Sequence, residues 1–418
     1  MERALLVNVR WRQRAYRDPW PAEESAQELR ELARSGGTQV LEERSLQQER
    51  PIPAYLIGKG QAEQIHERCD SLKPDAVIFG QDLSSSQQRN LEEVLGVKVI
   101  DRTQLILDIF AQRAHSQEGK VQVELAQLEY LFPRLAGKGI LLSRLGGGIG
   151  TRGPGEQKLE MDRRRIRARI ARLRGQLQEI GRRRGVARAK REEEQVPAVS
   201  LIGYTNAGKS TLLNALTQAG AVAEDRLFST LDPLTRRLAL PNGQGILLTD
   251  TVGFLHRLPH HLVEAFRGTL EEVTQSALLL HVADGSIPLL EERMEAVSEV
   301  LRLLEAESKP VLLVLNKKDR MGPGVRESLR RKYPESVAVS ALTGEGLGEL
   351  TDRLAAALGH LLREVRIRIS GKDLSWIDEI YRSGQILKRW DRDVGVELLA
   401  RVPSRLYGQL RKAGLVRE

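Results

Sequence analysis

Residues 203–210 read Gly203-Tyr204-Thr205-Asn206-Ala207-Gly208-Lys209-Ser210, with Thr211 next. The string follows the apolar stretch Ala198–Ile202 and opens a helix-forming run, and that setting decides the fold of the segment. Glycines at 203 and 208 let the backbone wrap a phosphate with successive N–H groups pointing inward. The positive end of the following helix favours the same anion. In such a loop Lys209 reaches the β- and γ-phosphates, and the Ser210 hydroxyl is a ligand for Mg²⁺.

A second string, Asn316-Lys317-Lys318-Asp319, ends the strand-like run Val311–Leu315. A carboxylate at 319 accepts from guanine N1–H and N2–H. Adenine would leave that carboxylate without a donor, a mismatch of the kind that gives large discrimination at polar sites. Lys317 is expected over the base and Asn316 is expected to brace the loop. Ser340-Ala341-Leu342 ends a further strand and offers a backbone N–H to guanine O6. Together these strings specify GTP and GDP.

Between them lie the switch elements. Asp250-Thr251-Val252-Gly253 ends the run Gly245–Thr249. Asp250 is placed to hold Mg²⁺ through a water, and the Gly253 N–H to sense the γ-phosphate. Phe228-Ser229-Thr230-Leu231-Asp232-Pro233 is the candidate switch loop, with the Thr230 hydroxyl on Mg²⁺; Thr235 is the rival. Lys209, Thr230 and Gly253 are the groups expected at the transferring phosphoryl. Many GTPases place Gln after the glycine of this motif to orient the attacking water; here Phe254 stands there and cannot. Either another group positions the water or Phe254 simply packs in the core. Both predict slow hydrolysis by the isolated chain.

Outward from this region, the 418 residues divide into four segments, and the fold expected is a multidomain α/β chain. An N-terminal α/β unit (1–115) alternates strand-like Ala4–Val9, Thr38–Leu46, Asp75–Phe79 and Val97–Ile100 with helix-like 22–34, 60–69, 84–95 and 103–113. A helical hairpin (116–195) is marked by Leu159, Ile166, Leu173 and Ile180 at seven-residue spacing, with Ile170 and Leu177 between. Val121, Leu125, Leu128 and Phe132 give the partner helix. Between the two, roughly Pro133–Gly155 is a long glycine-rich loop. The P-loop GTPase domain takes 196–362 and a small α+β domain takes 363–418. In that last segment Val365–Ile369 and Val394–Leu399 are expected as strands, and 373–383 and 403–413 as helices.

Charge singles out the hairpin. Residues 161–191 carry thirteen Arg/Lys against Asp162 and Glu179, which exceeds the chain's net +9. Only two acids within the segment are there to pair with them, and the segment has no aromatic residue. A one-signed helix of this kind suits the phosphate backbone and shape of RNA. Arg163, Arg164 and Arg165 on the helix, with Arg144, Arg152 and Lys158 at the tip, are the candidate RNA contacts. Cys69 is the only cysteine, the apolar runs are too short to span a bilayer, and the N-terminus lacks a signal peptide's apolar core. A reduced cytoplasm and a monomer are expected.

With these motifs in place, the chain resembles the HflX family of translational GTPases, in the broad Era/Obg-like group. The resemblance rests on residues 203–210, 228–233 and 250–254, on Gly58-Lys59-Gly60, and on the glycine-rich run Ser143–Gln157 beside a basic hairpin. It implies binding to the large ribosomal subunit or whole ribosomes and splitting of them under stress. It also implies a candidate K⁺ ligand at Asn206, whose cation would stand in for an arginine finger. Alternatives from the residues themselves are a ribosome-assembly GTPase acting on rRNA and a signalling GTPase with protein partners. Gly58-Lys59-Gly60 is read as a structural turn, with a second nucleotide site as its rival.

Overall fold

The computed structural model describes residues 2–16, 18–135, 154–194, 196–217, 227–228, 230–257, 259–370, 375–392 and 395–417. They form two bodies. The first comprises Met1–Ile180, Asp225–Leu231 and Pro259–Phe266; the second comprises Gly181–Glu224, Asp232–Leu258 and Arg267–Glu418.

The first body opens with β1 (Arg3–Trp11), α1 (Ala22–Ser35), β2 (Gln39–Gln48), α2 (Lys59–Leu72), β3 (Ala76–Phe79), α3 (Ser85–Leu95), β4 (Lys98–Ile100) and α4 (Arg102–Arg113). The four strands are parallel, in the order β2-β1-β3-β4. Ala4, Leu5, Leu6 and Val7 are buried in succession, as a parallel strand covered on both faces requires. Ser84 and Gln87 form a reciprocal capping box at the start of α3. Asp101 caps α4 by accepting from the Gln104 N–H at 2.8 Å. Burial pushes the Asp101 carboxyl pKa up, while Arg134 pairs with it at 3.0 Å.

Two further helices complete this body, α5 (Gln117–Leu135) and the start of the 41-residue α6 (Pro154–Glu194). Val121, Leu125 and Leu173 are buried between them, with Leu128, Ile170 and Leu177 packed around. Phe132, near the end of α5, lies beneath Arg163 and Arg167 near the start of α6, so the pair is an antiparallel hairpin. Arg169 forks onto Glu124 at 2.6 and 2.7 Å, and Arg174 reaches Glu129 at 2.7 Å. This corrects the charge count made within the arginine-rich segment, because α5 supplies two of its counter-ions. Arg144, Arg152 and most of the glycine-rich loop lie outside the described residues, as do the side chains of Lys158 and Leu159.

Two segments from the GTPase region belong to the first body. The Phe228 ring stands edge-on to Phe110 with centroids 4.6 Å apart, and Phe266 does the same at 4.7 Å. The Leu227 N–H donates to Ser35 Oγ at 3.1 Å.

The second body is built on a six-stranded sheet. Its elements are β5 (Ala198–Ile202), α7 (Lys209–Thr217), β6 (Leu234–Ala239), β7 (Gly245–Asp250), α8 (Arg267–Gln275), β8 (Leu278–Asp284), α9 (Leu290–Leu303), β9 (Val311–Asn316), α10 (Pro323–Lys332), β10 (Val337–Ala338) and α11 (Leu347–Leu358). The order is β10-β9-β8-β5-β7-β6, parallel except for the antiparallel edge β6. β6 was absent from the sequence expectation. Its central Arg236 and Arg237 are exposed, as an edge strand permits, so it lacks the apolar run of its neighbours.

The chain then forms β11 (Leu362–Ser370), α12 (Ser375–Ser383), β12 (Gln385–Arg392), β13 (Gly395–Pro403), α13 (Ser404–Lys412) and β14 (Val416–Arg417). The sheet order β12-β13-β11-β14 makes a split βαββαβ unit. Both helices contribute to one core with Val365, Ile367, Ile369, Leu398, Ala400 and Val402. The sequence expected two strands here; the extra two are both sheet edges. No described helix is long and apolar enough to cross a membrane.

Candidate guanine-nucleotide site

The carboxyl ends of β5, β7, β8 and β9 converge on the loop at 203–210. Two of its positions call for glycine. Gly203 (φ 150°) and Gly208 (φ 91°) both sit where a side chain would collide: a Cβ at 203 would stand 2.1 Å from the Val282 carbonyl oxygen. Asn206 holds a left-handed φ of 60°, tolerated better by Asn than by most side chains. Lys209 is buried, and its ammonium donates to the carbonyls of Gly203 and Tyr204 at 3.1 and 3.0 Å. The Thr205 hydroxyl is buried with no partner among the described residues.

Phe254 ties the next motif to this loop. The Thr205 N–H donates to the Phe254 carbonyl at 2.8 Å, and the Phe254 N–H to the Gly203 carbonyl at 3.1 Å. The Phe254 ring is buried. Gly253 therefore passes close by, and a Cβ there would lie 2.8 Å from Thr205 Cγ2 and 3.0 Å from Lys209 Nζ. The Ser210 hydroxyl donates to Asp250 Oδ2 at 2.6 Å, with both residues buried. A hydroxyl and a carboxylate beside a phosphate cradle are the hard oxygen donors that Mg²⁺ takes, alongside phosphate oxygens. The donor set fits that ion.

The base side of the site is assembled by Asn316. Its amide donates to the Ala207 carbonyl at 2.8 Å and accepts from the Ala341 N–H at 3.0 Å, so one buried side chain joins the P-loop to the loop after β10. The Ala341 N–H is thereby taken, and the next residue, Leu342, is exposed. The Ser340 hydroxyl donates to Asp319 Oδ1 at 2.5 Å and holds its carboxyl below the usual carboxylate range. Lys317, at φ 64°, bonds Asp284 Oδ2 at 2.8 Å.

Four profiles of known families match the chain in succession. They are the GTP-binding GTPase N-terminal region (23–111), its middle region (113–191), a 50S ribosome-binding GTPase (198–317) and the HflX C-terminal domain (328–414). A GTPase HflX of Lacrimispora saccharolytica is 48% identical over 410 residues, 98% of this chain and 95% of that one. The chain belongs to the HflX family of GTPases. The Escherichia coli GTPase HflX is 42% identical over 384 residues, covering 91% of this chain and 90% of that one. Among solved structures, a GTP-binding protein from the hyperthermophilic archaeon Sulfolobus solfataricus in complex with GDP aligns at 25% identity and a TM-score of 0.45. That alignment covers 86% of this chain and 100% of the archaeal one.

In this HflX-family site, residues 203–211, Asp250, Gly253, Asn316, Lys317, Asp319 and the 340–342 loop all lie at or just beyond the carboxyl ends of the sheet's parallel strands. Phe228 packs on Phe110 in the first body, and Thr230 lies in the same segment. Ser229 lies outside the described residues. The rival Thr235 is committed to the sheet, its hydroxyl 2.9 Å from that of Thr249 on the neighbouring strand. Two residues escaped the sequence analysis. Asp284 anchors Lys317, and its signal was a carboxylate ending an apolar strand before Gly285. His281 is buried in β8, and burial, with Lys209 adding to it, pushes its pKa down to about 4. It is neutral at physiological pH.

Burial pushes the Lys209 ammonium down to about 8, with Asp250 opposing. The nucleotide-free chain therefore loses this proton as pH rises through about 8, and a bound polyphosphate restores it. GDP binding at pH 8.5 should take up protons, and at pH 7 should not. Calorimetry in buffers of different ionisation heat checks this; equal proton uptake at both values would contradict it. The same shift makes stability of the nucleotide-free chain rise with pH between about 8 and the ordinary lysine range, because the unfolded chain binds the extra proton there.

Proposed function

We propose that this chain is a GTP-hydrolysing factor that docks on the large ribosomal subunit and on whole ribosomes in the cytoplasm, and separates or rescues stalled particles under stress. The observation that carries the ribosomal part is α6. Glu124 and Glu129 engage Arg169 and Arg174, yet Arg164, Arg165, Arg167, Arg172 and Arg182 remain exposed on a helix that reads as an RNA-backbone ligand. Arg163 stacks on Phe132, and the sequence adds Arg144, Arg152 and Lys158 as further candidate RNA contacts. The description of the matched GTPase family, which names 50S ribosome binding, supports this partner.

In this reading Lys209 and the 203–210 amides hold the phosphates, and Ser210, Thr230 and (through a water) Asp250 hold Mg²⁺. Bound there, Mg²⁺ would supply charge neutralisation to the phosphates. Asn206 is the K⁺ ligand, Gly253 senses the γ-phosphate, and the Leu342 N–H faces guanine O6. Phe254 spends its backbone on the P-loop and its ring in the core, so it positions no water. The partner must complete the site, and hydrolysis by the chain alone is slow.

The test is co-sedimentation with ribosomal subunits in GDP, GTP and a non-hydrolysable analogue, with turnover measured in parallel. Expected are GTP-dependent, salt-sensitive binding to the large subunit and at least tenfold faster turnover with ribosomes. Arg163→Glu/Arg164→Glu/Arg165→Glu should lose the binding. Equal turnover with and without ribosomes, or unchanged sedimentation of that variant, would reject the proposal. Preference for precursor over mature subunits would favour an assembly role.

A further inference from the structure

The C-terminal unit carries a second basic region that the whole-chain charge conceals. Residues 363–418 hold thirteen Arg/Lys against eight Asp/Glu. The fold sorts them. On β11, Val365, Ile367 and Ile369 are buried, and the alternate Glu364, Arg366, Arg368 and Ser370 are exposed. On β13, Val396, Leu398, Ala400 and Val402 are buried, and Glu397, Leu399 and Arg401 alternate with them. The buried set packs with α12 and α13, so the other set forms the open face of the sheet.

Strand register brings neighbours onto that face. Lys388 lies opposite Leu399, which lies opposite Arg366, which lies opposite Arg417. In the next row Trp390 faces Glu397, and Glu397 faces Arg368. The Arg366 guanidinium sits 5.3 Å from the Trp390 ring centre and 2.8 Å from Glu397. Arg401 pairs with Glu364 at 3.3 Å. Among the described residues, six cations (Arg366, Arg368, Lys388, Arg392, Arg401 and Arg417) thus share the face with two acids and one half-buried tryptophan.

We propose that this open sheet face is a second RNA-docking surface, one that takes single-stranded or looped RNA. A cationic sheet contacts phosphates. Trp390, already braced by Arg366, offers a flat surface to one unstacked base, which duplex RNA does not present. Charge complementarity selects a polyanion, and the aromatic selects a nucleic acid over an acidic protein. The inference goes beyond the ribosomal reading of α6, since it uses none of that helix.

The probe is a fluorescein-labelled 12-nucleotide single-stranded RNA, bound to the full chain and followed by anisotropy at several salt concentrations. Arg368→Glu/Lys388→Glu/Arg417→Glu should weaken binding at least tenfold and lower the slope of log affinity against log salt by about 2, near 0.7 for each lost phosphate contact. Trp390→Ala should weaken binding about tenfold with the slope unchanged, as a lost base stack does. Repeating both in a chain with Arg163→Glu/Arg164→Glu/Arg165→Glu removes the masking contribution of α6. GDP affinity reports that each variant is folded. Wild-type affinity and slope in the triple sheet-face variant overturn the inference, whatever the α6 variant does on ribosomes. So does displacement of the RNA by polyglutamate together with an inert Trp390→Ala. If the sheet-face variant keeps wild-type RNA affinity and slope while the α6 variant loses ribosome sedimentation, this inference fails and the proposed function stands.

Discussion

Replacing Asp319 with asparagine should lower GDP and GTP affinity by about 10³-fold or more and raise affinity for xanthine nucleotides, on the scale seen where a polar site is mismatched. β9 ends at Asn316, Lys317 turns left-handed, and the short 3₁₀ turn Lys318–Arg320 carries Asp319 outward. The Ser340 hydroxyl fixes one carboxylate oxygen at 2.5 Å. That same bond is the largest cause of the lowered pKa, so the group stays ionised at any pH above the usual carboxylate range. Guanine recognition should therefore persist through mildly acid solution and fail only when the carboxyl takes a proton. An asparagine amide turned toward guanine N1–H and N2–H sets donor against donor. Xanthine carries a carbonyl at C2 and restores a match. Competition binding with GDP and xanthosine diphosphate measures both effects. An unchanged preference for guanine would remove Asp319 from the base site and weaken every statement about the nucleotide.

The parts of this site that could be read from the chain were those whose chemistry is local. A phosphate cradle needs glycine at 203 and 208 within six residues, and Asp319 announces itself three residues after the end of an apolar strand. What could not be read depends on partners far along the chain. Asp284 acquires meaning only because β8 lies beside β9 and delivers it to Lys317. Glu124 and Glu129 count as counter-ions only once α5 is laid along α6, so a charge sum within 161–191 overstates the free arginines. Edge strands were missed for a common reason. β6 and β12 are solvated along one side, and stretches such as Lys388-Arg389-Trp390-Asp391-Arg392 lack the apolar run that marks a central strand. That omission also hid the basic sheet face, because alternation across a sheet is invisible until its strands are paired.

Gly208→Ala should reduce GDP affinity by on the order of 10³-fold, and Asn316→Ala by about 10²-fold, the latter matching loss of two buried hydrogen bonds. The two effects share one joint. A Cβ at 208 would stand 2.3 Å from Asn316 Nδ2, the atom that donates to the Ala207 carbonyl. Alanine at 208 therefore pushes away the side chain that couples the P-loop to Ala341, and it also strains a backbone at φ 91°. Removing the Asn316 side chain relieves the collision and leaves the strain. The double variant should thus bind GDP no more weakly than Gly208→Ala alone, instead of showing the product of the two losses. Isothermal titration across the four proteins gives the coupling. Fully multiplicative losses would show that Asn316 and the P-loop contribute separately, and that the base and phosphate halves of the site are not held as one piece.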